Sequence, residues 1–386
     1  MNNFEFYNPV KIIFGKNQLH KLTELIPVNK KILLIYGGGS ILKNGVYQQV
    51  KEALKEYELF EFSGIEPNPR YEASMKAVKL IKEKNIDFLL AVGGGSVIDA
   101  TKFIAAATLF EDGDPWDILV KNAKVKKALP FGTVLTIPAT GSEMNMGAVI
   151  TRDSTQEKFA FMTPFSFPQF SFLLPDAAGT LPQKQVANGI VDAFVHVVEQ
   201  YMNYPVNSPL QDRFAESILQ TLIEVAPKVY ANPADYDAMS TLMWSATMAL
   251  NGIIGTAVLQ DWGTHMIGHE ITVLHELDHA RTLAIVLPGV WEVFKNEKKE
   301  KLLQYGKRVL GIDKGTDEEK ISKIIQKTVE FFETVGIKTK LSDYDIPKAS
   351  IEIMAERFEK RGWKNFGDRG LVTPAKVKEI LTKQFN

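Results

Sequence analysis

Through its first half the chain alternates short, solid apolar runs with longer stretches whose apolar residues recur at helical spacing. KKILLIYGG (30–38) is an apolar run ended by glycines, the pattern of a strand buried on both faces. Helical spacing follows over 46–57, then a short strand at 59–62 and a turn at GIEPNPR. Residues 71–84 carry Met75, Val78, Leu80 and Ile81 at helical spacing. IDFLLAVGGGS (86–96) is a second glycine-ended strand. SVIDATKFIAAATLF (96–110) predicts a helix with Ser96 as its cap and Asp99 completing a capping-box-like pair. ALPFGTVLTIPAT (128–140) reads as a further strand. Strand and helix in alternation predict a mainly parallel sheet with crossover helices.

Beyond residue 181 the texture changes. QKQVANGIVDAFVHVVEQYM, RFAESILQTLIEVAPKVY, TLMWSATMALNGIIGTAV, KKEKLLQYGKRVLGI and EEKISKIIQKTVEFFETVG all have helical periodicity, and glycine-ended β runs disappear. Pro175, Gly179 and Pro182 break regular structure between the two textures. The expectation is an α/β domain over 1–180 and an all-helical domain over 181–386.

Composition narrows the function classes. With 386 residues, 45% hydrophobic and 24% charged, the chain has the make-up of a two-domain globular protein rather than a disordered one. The absence of cysteine excludes disulfides, cysteine-ligated zinc, iron–sulfur clusters and a thiolate nucleophile. Forty-five Lys+Arg against 46 Asp+Glu give no basic excess, which argues against nucleic acid as a partner. MNNFEFYNPVKIIFG lacks the charged and apolar regions of a secretory signal, and no apolar run is long enough to span a bilayer. A cytoplasmic protein acting on a small molecule is the expectation.

Two strands end in the same tetrapeptide, Gly37-Gly38-Gly39-Ser40 and Gly93-Gly94-Gly95-Ser96. Glycines after a strand let backbone N–H groups approach a phosphate, and a helix start beyond them adds free donors and partial positive charge. Neither copy fits G-x-G-x-x-G, so the ordinary dinucleotide fingerprint is absent. Each copy is also compatible with a plain tight turn; two copies on one rim of a parallel sheet favour a ligand. Enzymes that prefer NAD commonly place an acid after the second strand. Here the next acid is Glu52, while Ser40 and Lys43 stand near, so NADP is expected over NAD.

The six histidines are uneven: His265, His269, His275 and His279 crowd into 15 positions, with His20 and His196 apart. Asp192 and His196 share one helix face at a spacing of four, as do His265 and His269. An isolated Asp–His pair is usually a surface hydrogen bond. This one falls in the apolar stretch IVDAFVHVV, where a buried acid needs a partner and a divalent cation with further imidazoles would supply one. His275-Glu276-Leu277-Asp278-His279 also matches the zinc-peptidase pattern H-E-x-x-H, which requires one continuous helix.

GGGSVIDATK (93–102), TIPATGSE (136–143), DAFVHVVEQY (192–201), GTHMIGHE and HELDHARTLA (263–284) together resemble the iron-dependent (group III) alcohol dehydrogenases, essentially from end to end. YGGGS, QVANGIVDAF and LDHARTLAIVLP are similar to the branch of NADPH-dependent broad-substrate aldehyde reductases and butanol dehydrogenases, the YqhD type. The resemblance implies a Rossmann-like dinucleotide-binding domain plus an all-α domain, the dehydroquinate synthase-like architecture, working as a homodimer with the active site in the cleft between domains. It implies metal ligands Asp192, His196, His265 and His279, with His269 beside the metal as a proton-relay or substrate-facing residue. It assigns Gly37, Gly38, Gly39 and Ser40 to the adenosine end of NADP(H), with Asn68 nearby. Gly94, Gly95, Ser96 and Asp99 would hold the pyrophosphate and adjoining ribose. Thr136, Thr140, Ser142, Asn145 and Lys158 would flank the nicotinamide half.

One carboxylate and three imidazoles on Fe²⁺ or Zn²⁺ leave an open position for an aldehyde oxygen, the expected chemistry being reversible reduction of aldehydes to primary alcohols. Phe161, Met144, Phe194, Trp262 and His275 are the expected pocket walls. The rivals are an NAD-dependent polyol or butanol dehydrogenase of the same family and a dehydroquinate synthase-type lyase. The lyase is disfavoured because Arg152, Lys158 and Lys184 are too few cations for a phosphorylated sugar acid.

Overall fold

The computed structural model describes residues 1–386. In chain order the α/β half runs β1 (Lys11–Phe14), α1 (Leu22–Leu25), β2 (Lys31–Tyr36), α2 (Ser40–Lys43), α3 (Val46–Ala53), β3 (Glu58–Phe62), α4 (Tyr71–Lys84), β4 (Phe88–Gly93), α5 (Gly95–Thr108) and α6 (Asp117–Val120). It continues through β5 (Phe131–Leu135), β6 (Gly147–Arg152), β7 (Glu157–Met162), β8 (Phe170–Leu173) and α7 (Pro175–Ala178). The helical half holds α8 (Gln183–Tyr201), α9 (Pro209–Ala231), α10 (Tyr236–Ala249), α11 (Gly263–His275), α12 (His279–Val293), α13 (Lys299–Arg308), α14 (Asp317–Thr334), α15 (Ala349–Lys360) and α16 (Pro374–Lys383). No helix is long and apolar enough to cross a membrane.

The chain forms two compact units. One comprises Tyr7–Pro182 and Asn232–Thr247; the other comprises Met1–Phe6, Gln183–Ala231 and Met248–Asn386. Where the sequence suggests one boundary near residue 180, the chain thus returns to the α/β unit for most of α10. Its Thr247 hydroxyl donates to the buried Glu143 carboxylate at 2.5 Å.

In the α/β unit six parallel strands lie in the order β1-β8-β5-β4-β2-β3. β4, β5 and β8 are buried at every position, which explains their unbroken apolar runs. The connection from β2 leads to β3 on one side, and the chain then crosses back to β4 on the other, so the winding direction reverses between β2 and β4. Such a switch point leaves a crevice at the carboxyl ends of the strands, where ligands of open α/β sheets bind. β6 and β7 form a separate antiparallel hairpin. Gly132 of β5 is required by packing: a Cβ there would stand 2.2 Å from the Phe170 ring of β8.

Two local expectations fail for physical reasons. Ser96 does not cap α5, which starts at Gly95 behind an extended Gly94 with no side-chain cap. Asp99 instead accepts from the Ser142 hydroxyl at 2.6 Å and the Val149 amide at 2.9 Å, pinning β6 and the segment before it to α5. The helical pattern over 241–258 stops at Ala249, because Asn251 accepts from the Ile253 amide at 3.1 Å and Gly252 takes φ +96°.

The helical unit is built around α8, in which every residue from Gly189 to Tyr201 is buried. α12 packs beside it and against α11 closely enough that a Cβ on Gly268 would meet Thr282 Oγ1 at 2.8 Å. For the sheet, Gly132→Val is expected to cost about 1–3 kcal/mol through overpacking. That lowers the melting temperature by about 2–10 °C in a calorimetric scan, and an unchanged melting temperature would contradict the packing described.

Candidate metal centre and dinucleotide rim

The two glycine loops flank the switch point. Tyr36 pairs with Val92, so Gly37 and Gly93 stand at one level at the carboxyl ends of adjacent strands. Their glycines serve different ends. A Cβ on Gly38 would meet nothing within 4 Å, and Gly39 takes φ +94°, so this loop is open and needs glycine for its turn. In the second loop a Cβ on Gly95 would lie 2.5 Å from the Thr140 side chain and one on Gly94 3.0 Å from Ile137. Those glycines let the segment after β5 close over the start of α5.

The other residues assigned to the dinucleotide form one linked network around that segment. The Thr136 amide donates to Gly93 O at 3.0 Å, and Thr140 Oγ1 accepts from the Ser142 amide at 3.1 Å. Asn145 Oδ1 accepts from Lys102 Nζ at 2.9 Å and from the Gly147 amide at 3.0 Å. Burial pushes the Lys102 ammonium down to about 8, against the pull of Asp99, and burial likewise raises Asp99. Asp99 and Ser142, assigned to separate parts of the cofactor, are hydrogen-bonded to each other.

Lys158 Nζ donates to Asn68 Oδ1 at 2.8 Å. Two side chains assigned to different halves of the cofactor, Asn68 at the adenosine end and Lys158 at the nicotinamide end, thus stand against each other. One acid near the first loop escaped the sequence reading. Glu61 of β3 accepts from Tyr36 Oη at 3.1 Å, Tyr47 Oη at 2.9 Å and Lys51 Nζ at 2.9 Å. Burial opposes its ionisation, but these three donors hold its carboxyl below the usual range. Its charge is matched locally.

The second site lies wholly in the helical unit. α8 contributes Asp192, His196 and Glu199 on one face, all under 6% exposed. α11 contributes His265 and His269, and α12 begins with His279. Asp278, just before α12, accepts from Asn188 Nδ2 at 3.0 Å and Lys184 Nζ at 2.8 Å, both on α8. That clamp sets His279 against the helix that carries Asp192.

Asp192, His265 and His279 bring one donor atom each to within 4.8 Å of one another. His196 lies beside this trio: its ring stacks on His265 at 4.8 Å, and its Nδ1 is 3.8 Å from Asp192 Oδ2. The His269 ring centroid is 5.2 Å from His279 and 6.4 Å from His265. Trp262 stands edge-on to His265 at 5.0 Å, in the left-handed conformation at φ 60° that ends the preceding turn.

A divalent cation fits these residues. His196 Nδ1 is buried without a hydrogen-bond partner. Burial pushes the same imidazole down to about 4, despite Asp192, so it is neutral with a lone pair to give. One carboxylate and several imidazoles with no sulfur form a donor set for first-row divalent metals. Behind them Glu199, raised to about 8 by burial and by Asp261, accepts from the Thr264 amide at 3.1 Å and lies 3.8 Å from His265 Nδ1. Asp261 in turn pairs with the buried Lys298 at 2.6 Å.

The helix ends dispose of the rival motif, and one expected pocket wall is corrected. The H-E-x-x-H match fails as a peptidase motif because α11 ends at His275, Glu276 turns left-handed at φ 52°, and α12 starts only at His279. His275 contributes nothing to the trio. Phe194 is no pocket wall: it is fully buried between Phe331 and Phe332 at 5.2 and 5.5 Å. Glu199 was missed, although its place three residues after His196 on a buried helix face was a signal.

Comparison with known proteins agrees with this geometry. The family described as iron-containing alcohol dehydrogenase matches residues 9–175, and the C-terminal family of Fe-containing alcohol dehydrogenases matches residues 186–384. The NADPH-dependent aldehyde reductase YqhD of Escherichia coli is 52% identical over 97% of each chain. A probable NADH-dependent butanol dehydrogenase of Bacillus subtilis is 43% identical over 99% of each. The crystal structure of E. coli YqhD superposes with a TM-score of 0.98, covering 99% of both chains at 50% identity. That of NADH-dependent butanol dehydrogenase A from Thermotoga maritima gives 0.95 at 35% identity, covering 100% of this chain and 99% of that one. With family matches over both halves and relatives this similar along their whole length, the chain belongs to the iron-containing alcohol dehydrogenase family.

Proposed function

We propose that the protein reduces aldehydes to primary alcohols, reversibly, with NADPH as hydride donor and a divalent cation, iron or zinc, held by Asp192, His196, His265 and His279. The observation that carries the reading is the convergence of Asp192, His265 and His279 inside a buried helical unit, with the neutral His196 alongside. The cation would act as a Lewis acid toward the substrate carbonyl. NADPH would supply the hydride.

The chain's own contribution is placement, charge and a proton. Asp192 halves the ion's formal charge, and the imidazoles leave the remainder undiminished. The apolar positions of α8 around Asp192 and His196 exclude water, which strengthens the electrostatics at the site. His269, next to His279, gives a proton at a ring nitrogen to the product oxygen and regains it from solvent, its ring being only partly buried.

NADPH is preferred over NADH on local charge. The strand β2 ends in glycines and Ser40 with no acid, and the Glu61 carboxylate is engaged by Lys51, Tyr36 and Tyr47. A 2′-phosphate therefore meets no free negative charge at this loop. The reading extends to a homodimer, for which β1 at the edge of the sheet offers an open strand side.

Two experiments test the reading. Dialysis against a strong chelator should abolish NADPH oxidation with butanal, Fe²⁺ or Zn²⁺ should restore it, and NADPH binding should survive in the metal-free protein. Full turnover by metal-free protein would overturn the metal assignment. Ser40→Asp should lower kcat/KM for NADPH by about 100-fold or more through like-charge repulsion, while leaving that for NADH nearly unchanged. Equal losses with both cofactors would show that the first loop does not meet the 2′-phosphate.

A further inference from the structure

We propose that Glu199 is a positioning residue that holds the His265 ring with Nδ1 toward itself and so presents Nε2 to the cation; the inference rests on the metal site proposed above. Glu199 is 3% exposed, and its two carboxylate oxygens have different surroundings. Oε1 accepts from the Thr264 amide at 3.1 Å, which ties the carboxylate to the backbone just before His265. Oε2 has no hydrogen-bond partner and lies 3.8 Å from His265 Nδ1, a small ring rotation from a hydrogen bond. The lone-pair directions of the two imidazole nitrogens diverge, so a ring that turns Nδ1 to Glu199 turns Nε2 away from it. His265 shares its donor cluster with Asp192 and His279, for which the proposal leaves Nε2 as the ligating atom.

The carboxylate is itself fixed from behind. The Glu199 carbonyl accepts from the Asp261 amide at 2.9 Å, and Asp261 accepts from Lys298 Nζ at 2.6 Å and, through Oδ1, from the Gly263 and Asp368 amides at 3.1 and 2.9 Å. Lys298 also donates to Met202 O at 2.7 Å. The turn that leads into α11 is thereby anchored to the end of α8. Outer-sphere partners of this kind set ring orientation and tautomer, and their loss weakens metal affinity by about 10–100-fold.

A simpler role must be separated from this one. Glu199 also satisfies a free amide at the start of α11, and that role alone would make it structural. Glu199→Gln discriminates, because the amide oxygen still accepts from Thr264 while the acceptor facing His265 Nδ1 is replaced by an NH2 donor.

The test uses the full-length protein stripped of metal and titrated with Co²⁺ against a chromophoric chelator, alongside Asp192→Ala. Wild type should bind one Co²⁺ and Asp192→Ala should lose it; binding unaffected by Asp192→Ala would sink the metal site itself. Glu199→Gln should bind Co²⁺ about 10–100-fold more weakly, with a shifted visible ligand-field spectrum, at an apo melting temperature near that of wild type. Wild-type affinity and spectrum in Glu199→Gln would overturn the positioning role while leaving the metal site standing. Should that variant not fold, ¹⁵N spectra of Zn²⁺-loaded wild type decide instead. His265, one of only six histidines, should carry its proton on Nδ1 and ligate through Nε2, and ligation through Nδ1 would overturn the proposal.

Discussion

A carboxylate buried in an apolar helix is the constraint on which the helical unit depends. Asp192 and Glu199 lie in a stretch of α8 where every side chain is buried. An ionised acid in such surroundings costs several kcal/mol unless an opposite charge or a full set of donors meets it. Glu199 has the Thr264 amide and Lys298 to set against burial and the neighbouring Asp261, which together push its carboxyl up to about 8. Asp192 has imidazoles, of which His196 is itself pushed toward neutrality by burial. A neutral His196 cannot balance a carboxylate, whereas a cation shared among these side chains would.

The α/β unit solves a different problem with different means. Its parallel strands can be almost wholly apolar because helices cover both faces, and the winding order leaves one crevice. Both glycine tetrapeptides border that crevice, one open and left-handed, the other shaped so that Thr140 and Ile137 can settle on the start of α5. Asp99, Lys102, Ser142 and Asn145 then hold the loop by hydrogen bonds made entirely within the protein. A loop fixed in this way presents a set surface to a ligand, which reduces the ordering required on binding.

What was legible in the sequence was what is periodic or local. Glycine-ended apolar runs gave β2 and β4, and the spacing of four gave the shared face of Asp192 and His196. The parts that stayed hidden depend on contacts between distant positions. Asn68 and Lys158 meet across 90 residues, and no local pattern encodes that pairing. Phe194 lies two residues from both Asp192 and His196, half a helical turn, so the same spacing already turns it away from them and onto Phe331 and Phe332. The return of Asn232–Thr247 to the α/β unit was invisible because helical periodicity reports that a face is apolar, not which partner covers it.

The most direct measurement is anomalous diffraction at the iron or zinc edge from crystals of the metal-loaded protein. The account predicts one strong peak bonded to Asp192 and to His196, His265 and His279, at about 2.0–2.2 Å from each donor. A peak that engages other side chains, or none at these four after full metal loading, would contradict it.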